Sequence, residues 1–150
     1  MKAQLIVFAF SIAALPIIGC GRDRNDTAML FAVGSDSAAR LTWSVRNERL
    51  DSQSLWAPED GPPPLGIAKA CELGATWLKS KHPEIQNFEV EQIALHSYRH
   101  IQGKRGAVWY YNIDYNAVVG GQTLALRHDI GAFTAVVLFD GFVVEPTQSK

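Results

Sequence analysis

Most of the features that usually announce a function are missing from this sequence. It has only two cysteines, Cys20 and Cys71. One closes an apolar leader and the other falls on the dry face of a helix, so no disulfide is expected between them. Neither sign of charge is in excess: 14 Lys and Arg stand against 15 Asp and Glu, a formal net charge of −1. A polyanion therefore finds no global attraction, and no nucleic-acid partner is expected. No serine sits in a G-x-S-x-G turn, and Gly120-Gly121 lacks the following Lys and Ser/Thr of a phosphate loop. Histidines are few and scattered. His96 and His100 share a strand face but lie about 13 Å apart along it, too far to share one ion, and His128-Asp129 is an isolated pair. Asp114 is a lone carboxylate rather than half of an acid–base pair. The expectation is a protein with no catalytic residue, no metal site and no cofactor.

A membrane-spanning run is missing too. Ala3 to Ile18 is almost wholly apolar, but its 16 residues fall short of the roughly 20 a span needs, and Pro16 interrupts its far end. With Met1 and Lys2 as a small positive start, this pattern predicts an export signal. The run closes on Ile17-Ile18-Gly19-Cys20, which resembles the lipobox of bacterial lipoproteins. That resemblance implies cleavage after Gly19 and a diacylglyceryl group on the Cys20 thiol, whose thiolate is the soft nucleophile that accepts the lipid. Two or three acyl chains would make a lasting anchor, since each buried CH₂ adds about 0.8 kcal/mol. The domain would then sit at the cell membrane or the outer membrane, on the periplasmic or extracellular side. Residues 1–19 are accordingly read as a lipoprotein-type signal peptide, 20–27 as a polar tether, 28–146 as one domain and 147–150 as a tail.

Within the domain the periodicities are clear. Ala28–Val33 and Leu41–Val45 read as two strands joined by a turn, although a loosely attached arm would look similar. Asp51 to Pro64 holds four prolines and reads as a loop, with Trp56 pinning it to the core through a buried ring and a bonded indole N–H. From Leu65 to Lys81 the apolar residues Ile67, Ala68, Ala70, Cys71, Gly74, Ala75, Trp77 and Leu78 share half of a helical wheel, with Gly66 as N-cap and Pro83 as the stop. Cys71 is then a small core residue. Phe88-Val90 and Ile93-Leu95 alternate on opposite parities, which predicts a bulge or a corner near Glu91-Gln92. In Ala107–Tyr115 the large odd-numbered residues occupy one face, toward the helix, and the other face is the polar one. Asn116–Gly131 is left open between a strand, a loop and a mobile flap. Ala132–Phe139, then Asp140-Gly141, then Phe142-Val143-Val144 reads as a hairpin with a type I′ turn, ended by Pro146.

The predicted fold class is α+β, one main helix packed on an antiparallel sheet of four to five strands. Over residues 64–146, AKACELGATWLKSKHPEI, AVWYYNIDY and AVVLFDGFVVEP resemble PepSY-like and cystatin-like small domains, as found in bacterial lipoproteins of uncharacterised function. The resemblance implies a fold and a location, not a reaction. Inhibition of cysteine proteases is not implied, because the loop Gln102–Gly106 lacks the valine of true cystatins. The candidate binding residues are Arg99, His100, Lys104 and Arg105, a basic cluster beside Tyr98 and Trp109 whose counter-charges behind an export signal would be anionic head groups or wall polymers. A solvated hairpin turn is the plainer account of the same residues. The functional expectation is a tethered, non-catalytic binding or accessory module for an unknown envelope protein or polymer. The alternatives are an enzyme or inhibitor with an unassigned site and a structural subunit of an envelope complex.

Overall fold

The computed structural model describes residues 26–33, 40–98, 106–124 and 133–149. Thr27–Val33 (β1) pairs antiparallel with Arg40–Arg46 (β2), and Asn47–Asp51 (α1) follows directly. The proline-rich loop contains a single 3-10 turn at Pro58–Asp60. The main helix, Ile67–Lys81 (α2), begins at Gly66, and its last turn is followed by Pro83. After it come Asn87–Tyr98 (β3), Val108–Val119 (β4), Gln122–Leu124 (β5), Thr134–Leu138 (β6), Val143–Val144 (β7) and Pro146–Ser149 (β8). β3, β4, β6 and β7 lie side by side in an antiparallel sheet, with β5 beside β4, which makes five strands. β1, β2 and β8 form a second, three-stranded sheet. Among the described residues no helix is long and apolar enough to cross a membrane.

The second sheet changes the architecture from two layers to three. α2 covers one face of the five-stranded sheet, where Tyr111, Ile113, Tyr115 and Val137 meet Ala70 and Leu78. The opposite face, expected to be the polar one, is buried as well: Val108, Tyr110, Val136 and Leu138 pack against Leu30, Trp43 and Val45 of the small sheet. β6 lies between both cores, and all five of its residues are buried. Its continuous apolar run has that meaning, because a strand wet on one side alternates and a strand dry on both does not. β1 bulges where the register shifts between Met29 and Phe31, leaving Leu30 without a partner in β2. The Leu30 carbonyl is satisfied across the layers instead, accepting the Tyr110 hydroxyl at 2.6 Å.

Several expectations need correction. Residues 147–149, expected as a tail, are part of β8, and Pro146 starts that strand rather than ending the previous one. A proline is tolerated as the first residue of a strand because its missing N–H costs no ladder bond there. On α2 the buried residues are Ala70, Gly74 and Leu78, whereas Ile67 is 53% exposed and Ala68 is exposed too. Trp56 does pin its loop, with its ring edge-on to Trp109 and Phe139. Its own indole N–H has no partner among the described residues; the bond runs the other way, from Trp109 Nε1 to the Trp56 carbonyl at 2.7 Å.

The expected type I′ turn is displaced. The Gly141 amide donates to the Leu138 carbonyl at 2.9 Å, so Phe139 and Asp140 are the central residues of the turn, Gly141 with its positive φ (85°) follows them, and the connection spans four residues. The Asp140 carboxylate accepts from Gln53 Nε2 at 2.8 Å, a tertiary bond, and from the Phe142 amide within the turn at 3.0 Å. Positive φ at both central residues occurs at Gly120 (60°) and Gly121 (77°), which join β4 to β5 and resolve the first part of the Asn116–Gly131 stretch into strand and hairpin. The expected bulge in β3 lies at Glu91, where the register shifts between Val90 and Gln92.

Tyrosines tie α2 to the sheet. The Tyr111 hydroxyl donates to the Leu65 carbonyl and the Tyr115 hydroxyl to the Cys71 carbonyl, both at 2.7 Å. Gly74 stands where a Cβ would collide with the Tyr115 hydroxyl, which accounts for a glycine in mid-helix despite its poor propensity. Burial pushes the phenols of Tyr110, Tyr111 and, most strongly, Tyr115 above the ordinary range. In the unfolded chain the same phenols lose their protons near pH 10. The unfolded state then binds fewer protons than the folded one, so stability is fully present below about pH 10 and is lost as pH rises beyond it. The expected result is a urea midpoint that is flat to about pH 9 and falls above pH 10, less steeply in Tyr115→Phe. A midpoint independent of pH across that range would contradict the burial of these hydroxyls.

Candidate functional site

α2 seats its inner face on the sheet and leaves Leu73 and Trp77 on the side toward the β6–β7 turn, where Leu73 reaches Gly141. Trp77 thereby becomes a wall common to two adjoining clefts. The first, about 320 Å³, lies between the end of α2 (Leu78, Lys81, His82), Thr134 on β6 and Leu41 on β2. The second, about 450 Å³, lies between β2 (Ser44–Arg46), Arg49 of α1 and the Phe142–Glu145 segment. Glu145 borders both. Side-chain carbon makes up most of the walls.

The charged groups around the clefts are mostly paired. Lys81 Nζ stands 2.7 Å from Glu145 Oε1, and this ammonium holds the Glu145 carboxyl below the usual carboxylate range. The Trp77 indole N–H lies on the same side, near enough to help but outside hydrogen-bond geometry, so its buried Nε1 has no bond of its own. Arg49 Nη2 meets Asp140 Oδ2 at 2.5 Å, and the guanidinium lies over the Phe142 ring, 4.1 Å from its centroid. Arg49 Nε is buried without a partner among the described residues. His82 Nδ1 stands 3.5 Å from Glu84 Oε1. Arg46, exposed at the mouth of the second cleft, makes no ion pair among the described residues. Such an arrangement can hold an apolar body and present hydrogen-bond donors to it.

The residues singled out from the sequence lie elsewhere. Gly19, Cys20, Arg99, His100, Lys104, Arg105 and His128 are outside the described residues. The basic cluster belongs to the connection between Tyr98 and Gly106, from β3 to β4. His96 is exposed and stacks on Tyr110 with ring centroids 5.4 Å apart. Asp114 accepts the Thr134 hydroxyl at 2.6 Å. His96 stands opposite Tyr110, four positions along β4 from Asp114, so the two are about 13 Å apart and do not form one site. Cys71 is half-buried and packs beside the helix-side core, and burial pushes its thiol up. Among the described residues no three His, Cys, Asp or Glu gather as metal ligands.

Sequence reasoning missed Arg46, Arg49 and Glu145. Only Trp77 carried a signal, as the largest residue of the predicted helix face, and nothing local marks the others, because the fold alone brings β2, α1 and β7 to one place. No family model matches the chain, and neither a curated protein nor a solved structure matches it.

Proposed function

We propose that the chain is an exported lipoprotein, anchored through Cys20, whose α+β domain is a non-catalytic binding module holding an envelope partner at the Trp77 clefts. The observation that carries this reading is the pair of adjoining, carbon-walled clefts whose rim charges are locked in the Lys81–Glu145 and Arg49–Asp140 pairs. Charges fixed against each other shape a surface for recognition. The leader and its terminal Ile17-Ile18-Gly19-Cys20 support the location. Within the domain, α2 followed by the antiparallel strands β3, β4, β6 and β7 is the part we assign to the PepSY-like or cystatin-like layout, and the three-stranded sheet is additional to it.

Cys20→Ser is expected to abolish labelling by fatty-acid precursors and to move the protein out of the membrane fraction. A variant as membrane-bound as wild type would refute the anchor. A photo-crosslinking residue placed at Phe142, which is exposed at the second cleft, is expected to capture one reproducible partner in intact cells. A structural-subunit reading is favoured by a different surface: Val90, Ile93 and Leu95 are exposed along one edge strand, β3. Capture from Leu95 but not from Phe142 would favour that second reading.

A further inference from the structure

We infer that the second Trp77 cleft takes an organic anion, a carboxylate head on an apolar body, with the head at Arg46 and Arg49 and the body between Trp77 and Phe142. The inference rests on the binding-module reading and gives it a ligand chemistry. The volume of about 450 Å³ falls in the range of small-molecule sites, and the walls are chiefly carbon, as such sites require. Charge decides the head group. Arg49 is balanced by Asp140 and Glu145 by Lys81, which leaves Arg46 as the uncompensated charge of the cleft among the described residues. A cationic ligand would have to compete with Lys81 for Glu145, whereas an anionic one meets a free guanidinium.

Hydrogen bonding points the same way, and independently of net charge. Arg49 lines this cleft and its Nε is a buried donor without an acceptor among the described residues, while the Trp77 indole N–H faces the Glu145 carboxylate that Lys81 already holds. A buried donor left unpaired is costly, and an acceptor oxygen arriving in the cleft removes that cost. The guanidinium fork matches the two oxygens of a carboxylate. An extended peptide fits less well, since β7 is two residues long and β2 is flanked by β1 and β8. Recognition here runs through side chains.

The test uses the isolated full chain and three water-soluble probes of one shape: 4-phenylbutyrate, 4-phenylbutanamide and 4-phenylbutylamine. Binding is followed through the tryptophan indole N–H resonances, with Trp77 assigned by its loss in Trp77→Phe. The expected result is a saturable shift of the Trp77 signal by the carboxylate, at a Kd about tenfold or more below those of the amide and the amine, as for a hydrogen bond to a charged group. Arg46→Gln is expected to weaken the carboxylate about tenfold. Lys79→Gln, which removes an exposed charge from the far side of α2, is expected to leave it unchanged. Equal binding of the three probes, no saturable shift at Trp77, or an unaltered Kd in Arg46→Gln would each overturn the inference. If the carboxylate fails while Phe142 still captures a partner, the binding module stands and this inference alone falls.

Discussion

Trp43→Ala is expected to cost about 3–5 kcal/mol of stability, the range for removing a large buried aromatic side chain. Trp43 is 0% exposed at the centre of the second core, where it touches Phe31 in its own sheet and faces the five-stranded sheet. The loss would be a large part of the roughly 5–15 kcal/mol that holds a domain of ordinary stability. Urea unfolding followed by far-UV circular dichroism measures it. A cost below about 1 kcal/mol would mean that β1, β2 and β8 form a loosely attached arm, not a structural layer. Trp43→Phe separates area from polarity: it keeps most of the buried surface and deletes an indole N–H that has no partner among the described residues. Its cost is expected to stay below about 1.5 kcal/mol.

The second large effect is a contrast between two positions on one helix. Leu78→Asp is expected to leave no stable fold, because Leu78 is 1% exposed beneath α2 and the change both removes its packing and buries an unpaired carboxylate. Its cost exceeds about 4 kcal/mol, the exceptional end of single substitutions. Ile67→Asp places the same charge on the first residue of α2, half-exposed, where the positive end of the helix dipole favours it. Its effect is expected to stay within about 0.5 kcal/mol. Protease resistance and thermal unfolding of the two variants check the pair. Equal damage from both would show that α2 is rotated relative to its sheet.

That contrast also shows how far sequence pattern reaches. A helical wheel reports direction but not coverage: Ile67 points with Leu78, yet the sheet covers α2 only from Ala70 onward. The boundaries of α2 were legible because Gly66 and Pro83 act through their own backbones. The bulge at Glu91 was legible because a change of parity forces one. The second sheet was not recognised, although AVVL in β6 carried its signal as a run buried on both sides. Asp140-Gly141 misled for a tertiary reason, since the Asp140 carboxylate also serves the distant Gln53 and Arg49. The candidate site was the least legible part. Arg46, Arg49 and Glu145 come together only through the path of the chain, and no local period marks such a meeting.

The pairing of β8 with β2 bears on the order in which the molecule assembles. The Thr147 hydroxyl donates to the Thr42 carbonyl across 105 residues of sequence, a separation whose closure entropy must be met before the contact stabilises anything. Until Pro146–Ser149 arrives, β2 has an open edge and the small sheet is unfinished, however complete the helix-side layer has become. Contacts of such long range slow folding, and the third layer is complete only with this strand in place.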